Sequence, residues 1–404
     1  MNRLRSLLRR AIVPILAVVT AFLFGAIVIV LTDLENLSRI GEDPLGAIGG
    51  AIGGVGRGYG AMLSGAFGDP GRIASALQSG SPEDIATAIR PLTETLVNAM
   101  PLIFVGLAIA VSFRAGMFNV GGDGQFIFGA LGASGTAILL ETSGLPLVLI
   151  LVLSILAGTL LGAFWGFIPG FLKARTGAHE VITTIMLNYV AAQIVFFALV
   201  HTFIQQPGSG QPIGRPTTYL DVPPIFNLPA IRLDWGFVVA LVMAAIVSWL
   251  LFRTTKGFEL RASGFNMAAA RYAGMSAGGS MMLAMAISGG LAGMGGGFVV
   301  LGSVSQLTLD VSGGIGFNAI ALALLAALRP SGVVLAALLF GALTTGGKLM
   351  GIASGIPFDL LVLIMSLVIM FVAAPGLIRG IWRVKVPKPA PEVATASQGS
   401  AGTL

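Results

Sequence analysis

Apolar residues gather in runs of about 20, separated by short breaks that hold Lys, Arg, Asp, Glu, Pro or Gly. Hydrocarbon offers no partner to a backbone N–H or C=O, so runs of this length predict membrane-spanning helices. Ten are predicted: Ala11 to Leu31, Leu92 to Phe113, Gly124 to Leu140, Pro146 to Leu172, Val181 to Phe203, Gly236 to Phe252, Ser280 to Gly302, Gly316 to Leu328, Gly332 to Met350 and Pro357 to Gly376. The eighth is short. The expected fold class is all-α, a polytopic membrane helical bundle of about ten transmembrane helices.

Composition agrees with that solvent. Of 404 residues, 55% are hydrophobic and 10% charged, against about 25% charged in a soluble domain. The net charge of +6 does not point to nucleic acid, because the basic residues sit at the ends of apolar runs, where they set topology. With the N-terminus inside, the inner pieces carry Arg3, Arg5, Arg9, Arg10, Arg114, Lys173, Arg175, Arg253, Lys256, Arg261, Arg271, Arg329, Arg379, Arg383, Lys385 and Lys388. Asp33, Glu35, Glu42, Asp43, Asp69, Glu83, Asp84, Asp221 and Asp234 fall outside. An even number of spans with both termini cytoplasmic follows.

The expected organisation is a cytoplasmic N-terminus (1–10), a first transmembrane helix (11–31), an extracytoplasmic Gly-rich segment (32–91) and a main bundle (92–380). The loop 253–275 interrupts that bundle, and a Pro/Lys/Ala/Ser/Gly tail (381–404) is expected to be disordered and cytoplasmic. Leu45 to Gly68 is span-length but holds ten glycines plus Arg57 and Tyr59. Glycine at that density makes a poor isolated helix, so the stretch is expected outside the spans, amphipathic or interfacial. The basic N-terminus resembles a signal peptide, but its apolar run is span-length and lacks a small-residue cleavage site, which favours an uncleaved helix.

With no cysteine and only His179 and His201, disulfides and thiolate metal sites are excluded and a metal centre has almost no material. Gly341-Ala-Leu-Thr-Thr-Gly-Gly-Lys348 imitates a phosphate loop, but its first Gly is out of register and Leu349 replaces the required Ser or Thr. No bound cofactor is expected, and any ATP used is hydrolysed by another chain. Gly158, Gly162, Gly166 and Gly170 recur every four residues, as do Gly289, Gly293 and Gly297, so each set lies on one helix face and admits a close backbone neighbour.

Three constellations carry candidate function. Arg114-Ala-Gly-Met-Phe-Asn-Val-Gly-Gly-Asp-Gly-Gln125 packs a base, an acid, two amides and four glycines between two apolar runs. It reads either as a substrate path, since polar groups at bilayer depth are costly unless they face a cavity, or as a cytoplasmic turn with Arg114 as anchor and Asp123 as helix cap. In Gly177-Ala-His-Glu-Val-Ile-Thr-Thr-Ile-Met-Leu-Asn-Tyr189, Glu180, Thr184 and Asn188 share a helix face. The threonines bond back to their own helix on this reading, while Asn188 lines a path or bonds another helix. The loop Arg253 to Met275 holds a short helix that Asn266 caps and Gly274 ends; its mixed apolar and basic faces favour docking in a partner's groove over a plain solvated connector.

With Phe113-Arg-Ala-Gly-Met-Phe-Asn-Val-Gly-Gly-Asp-Gly-Gln125, Glu180-Val-Ile-Thr-Thr-Ile-Met-Leu-Asn-Tyr189, Arg261 to Gly274 and Gly314-Ile-Gly-Phe-Asn-Ala-Ile-Ala-Leu-Ala-Leu-Leu325 in view, the chain resembles the permease subunits of bacterial ATP-binding-cassette importers for nucleosides and simple sugars, most closely the nucleoside-type branch. The resemblance covers about Leu92 to Gly376. It implies a cobalamin-importer-like bundle in the bacterial inner membrane and a second permease subunit, homologous or identical. It also implies two cytoplasmic ATPase subunits and an extracytoplasmic substrate-binding lipoprotein. Residues it places on the substrate path are Phe113, Asn119, Asp123, Gln125, Asn188, Tyr189 and Asn318. Those it places in the ATPase-coupling loop are Arg261, Gly264, Asn266, Ala269, Arg271 and Gly274. At Asp123 the family commonly has Glu, one methylene longer. A transport subunit, not an enzyme, is expected. The alternative is an ion-coupled secondary transporter of small polar solutes, for which the spans supply few titratable groups beyond Asp123, Glu180 and Asp359.

Overall fold

A computed structural model describes residues 2–226, 228 and 230–383. The tail expectation for 384–404 lies outside the described residues. Among the described residues there are sixteen α-helices: α1 (Asn2–Thr32), α2 (Leu34–Ser38), α3 (Pro44–Phe67), α4 (Pro70–Ser79), α5 (Pro82–Arg114), α6 (Gly122–Leu140), α7 (Leu147–Thr176), α8 (Glu180–His201), α9 (Trp235–Arg253), α10 (Thr255–Phe265), α11 (Met267–Tyr272), α12 (Ala277–Phe298), α13 (Ile315–Leu325), α14 (Pro330–Ser354), α15 (Phe358–Ala373) and α16 (Pro375–Ile381). Among the described residues β-pairing is confined to isolated bridges. The molecule is a polytopic helical bundle.

Every predicted apolar run falls on a helix. Among the described residues seven helices, α1, α5, α7, α8, α9, α12 and α14, are long and apolar enough to cross a membrane, and α15 with α16 makes an eighth if the bent pair is one span. α13, with 11 residues, rises only about 16 Å, half the hydrocarbon thickness. The boundaries follow from local chemistry. Asp33, Asp43, Asp69, Ser81, Asp234, Thr254, Asn266 and Ser276 each cap a helix start by accepting a backbone N–H. Such caps contribute about 1 kcal/mol each. Gly80, Gly177 and Gly355 end α4, α7 and α14 in the left-handed conformation.

α5 is the central element; from Ala99 to Ser112 every residue is buried. Around it the tightest seam joins α7 to α12, and the glycine stripes make it. A Cβ on Gly162 would stand 2.5 Å from Gly289 O and 2.7 Å from Gly293 Cα, and one on Gly158 2.6 Å from Gly129 O of α6. Three backbones therefore touch with no side chain between them, the geometry that small residues permit in membrane bundles.

The Gly-rich stretch forms a helix although its composition makes a poor isolated one. It is the 24-residue helix α3, packed along α14 and across α1. The Tyr59 hydroxyl donates to Phe22 O at 2.6 Å, and the Thr95 hydroxyl of α5 donates to Ala66 O at 2.8 Å. At Gly65 a Cβ would meet Leu349 Cβ at 2.7 Å and Gly346 Cα at 3.1 Å. The glycines that weaken an isolated helix are what let this one approach α14, and packing offsets the backbone entropy.

One end of the bundle gathers Arg114, Arg261, Arg329 and the helices α10 and α11. The opposite end carries the 202–234 segment, held to the 304–308 segment by Gly214 N–H to Leu307 O and Thr217 N–H to Ser305 O, both at 2.8 Å. There Asp234 is 5% exposed while its carboxylate accepts from Gly236 N–H at 2.7 Å. Burial pushes the Asp234 pKa up from 3.8 to about 6, against the opposing pull of that hydrogen bond. The folded protein thus keeps a proton that the unfolded chain has released, and stability falls as pH rises from about 4 to 6 and is flat above. Asp234→Asn keeps an acceptor for the cap and has nothing to ionise. It is expected to abolish this pH window, read as a thermal midpoint in detergent that no longer falls as pH rises from about 4 to 6. An unchanged pH profile contradicts it.

Candidate functional site

Between α5 and α6 the backbone leaves the helix for residues 115–121, and its polar groups need partners from elsewhere. Asn119 supplies one of them, for Gly121 N–H, and ties the turn to Gln125 and Ser288. Fully buried, it donates from Nδ2 to Gln125 Oε1 at 3.0 Å and to Ser288 Oγ at 2.9 Å. Its Oδ1 accepts from Gly121 N–H at 2.8 Å and from Gln125 Nε2 at 3.2 Å. Ser288 passes the chain on to Ala108 O of α5 at 2.7 Å.

Asn188 of α8 completes the turn from the other side. Its Oδ1 accepts from Gly124 N–H at 2.9 Å and its Nδ2 donates to Val120 O at 3.0 Å. Thr184 bonds back to Glu180 O at 2.8 Å and also accepts from Val120 N–H at 3.3 Å. Lys173 and Glu180, 2.8 Å apart, tie the end of α7 to the start of α8.

The seven residues expected on a substrate path are therefore placed in three settings. Asn119, Gln125 and Asn188 spend their amides on the turn and on one another. Asp123, which does not cap its own helix, accepts from Gly316 N–H at the start of α13 at 2.9 Å, with half-buried Asn318 one turn or less away on the same helix. Phe113 stacks on Phe118 with ring centroids 4.4 Å apart, and Phe118 and Tyr189 face outward, the latter 68% exposed.

At the basic end, Asn266 Oδ1 caps α11 by accepting from Ala269 N–H at 3.0 Å, and Gly274 follows the helix with φ +81°. Ala269, Arg271 and Gly274 are exposed. Arg261 lies over the Phe252 ring at 5.2 Å, beside a groove of about 840 Å³ lined by Phe252, Arg253, Lys256, Arg261, Gly274 and Met275. Gly264 points inward instead: a Cβ there would stand 2.6 Å from Gly116 N. Phe265 and Tyr272, absent from the sequence reading, are 95% and 97% exposed. Their signal was two aromatics flanking a six-residue alanine-rich helix with no apolar run for either to join.

Comparison with known proteins places this architecture. Residues 92–374 match the family described as branched-chain amino acid transport system, permease component. The chain is 34% identical over 376 residues to the guanosine ABC transporter permease protein NupP of Bacillus subtilis, covering 92% of this chain and 95% of the relative. It is 32% identical over 395 residues to the nucleoside ABC transporter permease protein NupB of Lactococcus lactis, covering 94% of each. It is also 35% identical over 288 residues to the glucose ABC transporter permease protein TsgB13 of Haloferax volcanii, covering 69% of this chain and 75% of the relative. No solved structure matches. A family match across the spans, with likeness to two permeases that reaches back into α1–α4, settles the family: the chain belongs to this family of ABC-importer permeases, as a multi-pass transport subunit and not an enzyme.

Proposed function

We propose that the chain carries nucleosides inward as one translocation subunit of an ATP-driven importer. The observation that supports the substrate class is likeness over more than nine-tenths of the chain to two permeases named for guanosine and for nucleosides. A sugar is the second reading, supported by the glucose permease relative, which aligns over 69% of the chain.

In this reading the basic end faces the cytoplasm and both termini lie there, consistent with the bias of Lys and Arg. The membrane is the bacterial inner membrane and the arrangement is cobalamin-importer-like, with about ten spans. α2–α4 stand on the extracytoplasmic side with the 202–234 segment, where a substrate-binding lipoprotein delivers. A second permease, homologous or identical, completes the path. Two ATPase subunits dock on α10 and α11, where Phe265 and Tyr272 supply exposed apolar area beside Asn266, Ala269, Arg271 and Gly274. ATP stays on those subunits and this chain binds no cofactor. Phe118, Tyr189 and Asn318 offer the outward faces suited to a path wall, where aromatic rings can stack on a base, while Asn119, Gln125 and Asn188 hold the turn behind them.

The test is reconstitution with the proteins encoded beside it, followed by uptake of labelled guanosine, uridine and glucose with and without ATP. ATP-dependent nucleoside uptake, competed by unlabelled nucleoside and not by glucose, is expected. Glucose uptake alone selects the sugar reading, and uptake along an ion gradient without ATP overturns the importer.

A further inference from the structure

α13, 11 residues long, hangs between two joints. Gly313 and Gly314 precede it with φ +51° and +72°, and Ala327 and Leu328 follow it with φ +49° and +57°. Left-handed backbone is costly for alanine and leucine and persists only where something else holds it.

What holds it is Arg114. Its Nε donates to Leu328 O at 2.6 Å and its NH2 group to Ala327 O at 3.3 Å, so the guanidinium fixes the carbonyls of both strained residues. At the other end of α13, Asp123 accepts from Gly316 N–H at 2.9 Å. A base at the helix C-terminus and an acid at its N-terminus also complement its dipole. Both holding residues belong to one stretch, Arg114–Asp123, and the Asn119 network locks the backbone between them.

That stretch is in turn pressed against α10. A Cβ on Gly264 would stand 2.6 Å from Gly116 N and 2.7 Å from Ala115 C, and Gly116 takes φ +76° to present its backbone there. Phe252, at the end of α9, lies between two guanidinium groups, Arg114 at 5.0 Å and Arg261 of α10 at 5.2 Å. α10 is thus joined to the clamp by a backbone contact and a shared ring.

We propose that Arg114–Asp123 is a rigid clamp that carries displacement of α10 to α13, with Arg114 as a positioning residue for transport. The inference rests on the ATP-driven importer reading. When α10 is pushed or pulled by a partner, the Gly116–Gly264 contact moves the clamp, and α13 swings on its two left-handed joints as one piece. α13 exposes Phe317 at 59% and Leu324 at 45%, so its motion changes a surface open to the path or to the second permease.

The test uses the reconstituted transporter. The chain contains no cysteine, so it is purified and spin-labelled at Leu139→Cys on α6 and Phe317→Cys on α13 before it is combined with the partner subunits, which places label at these two positions alone. Adding ATP and vanadate is expected to shift that distance by about 2 Å or more. Arg114→Gln is expected to abolish the shift and lower uptake at least tenfold, while ATP hydrolysis by the partner subunits stays within twofold of wild type. Asp123→Ala removes the acceptor of Gly316 N–H, frees the other end and removes the shift as well; the two together lose little more than either alone, since each breaks the same clamp. Arg114→Gln that keeps the shift, or that lowers uptake and hydrolysis by equal factors, overturns the clamp. So does a distance that never changes with Arg114 intact. If the unaltered transporter shows no ATP-dependent uptake, the importer reading falls first and the clamp with it.

Discussion

Gly162→Ala is expected to yield little folded protein, although it adds a single methyl group. That carbon would lie 2.5 Å from Gly289 O, 2.7 Å from Gly293 Cα and 3.0 Å from Gly293 N. All three are backbone atoms of α12, so no rotamer change relieves the contact and α7 must move bodily outward. The same displacement opens the contacts that Gly158 makes with α6 and Gly170 with Met285. Overpacking of a filled core costs about 1–3 kcal/mol when side chains adjust; here they cannot, and loss toward or above the upper figure is expected. Against a reserve of about 5–15 kcal/mol, that lowers the thermal midpoint sharply and the yield of monodisperse protein with it. Gly290→Ala is the internal control. It sits on α12, across the same seam, but its Cβ would meet Ala163 Cβ at 3.5 Å and Thr159 atoms at 3.6 Å, ordinary contact distances. Equal effects of the two substitutions contradict a backbone seam.

The glycine stripes show how far sequence carries and where it stops. Four-residue spacing places Gly158, Gly162, Gly166 and Gly170 on one face, which is a statement about a helix and not about its neighbour. Periodicity contains no term for the partner, so that α7 meets α12, and that Gly129 of α6 joins them, emerges only in three dimensions. The apolar runs were legible for the same reason in reverse: burial in lipid is a property of a segment alone. α3 was not, because its stability comes from contacts with α14 and α1 that its own composition argues against. Gly264 illustrates the finer limit. Its place in the loop was readable, but its packing against Gly116 depends on how α10 sits on the end of α5. The amides of the turn carry the same lesson, since Asn119 finds Ser288 169 positions along the chain, and no local pattern announces that pairing.

Asn119→Ala separates holding the turn from lining the path. The side chain removes four hydrogen bonds at once, but these are unequal. Amide pairs between helices in a membrane contribute about 0.6 kcal/mol on average, so the lost bonds to Gln125 and Ser288 are the smaller part. Gly121 N–H is different: it lies outside any helix, has Oδ1 of Asn119 as its partner at 2.8 Å, and sits where nothing else replaces that acceptor. An orphaned backbone N–H away from water costs about 1–3 kcal/mol or more, and the alanine also leaves Gln125, 1% exposed, with its amide unmatched. A total of about 3 kcal/mol or more follows, and the thermal midpoint should fall together with the amount of active transporter. Tyr189→Ala makes the contrast, because at 68% exposure its ring supports little of the fold. Its midpoint should stay within a degree or two of wild type while nucleoside uptake per folded molecule drops. If Asn119→Ala instead keeps the wild-type midpoint and loses only uptake, the amide touches substrate, and the hydrogen bonds that hold the turn are secondary to it.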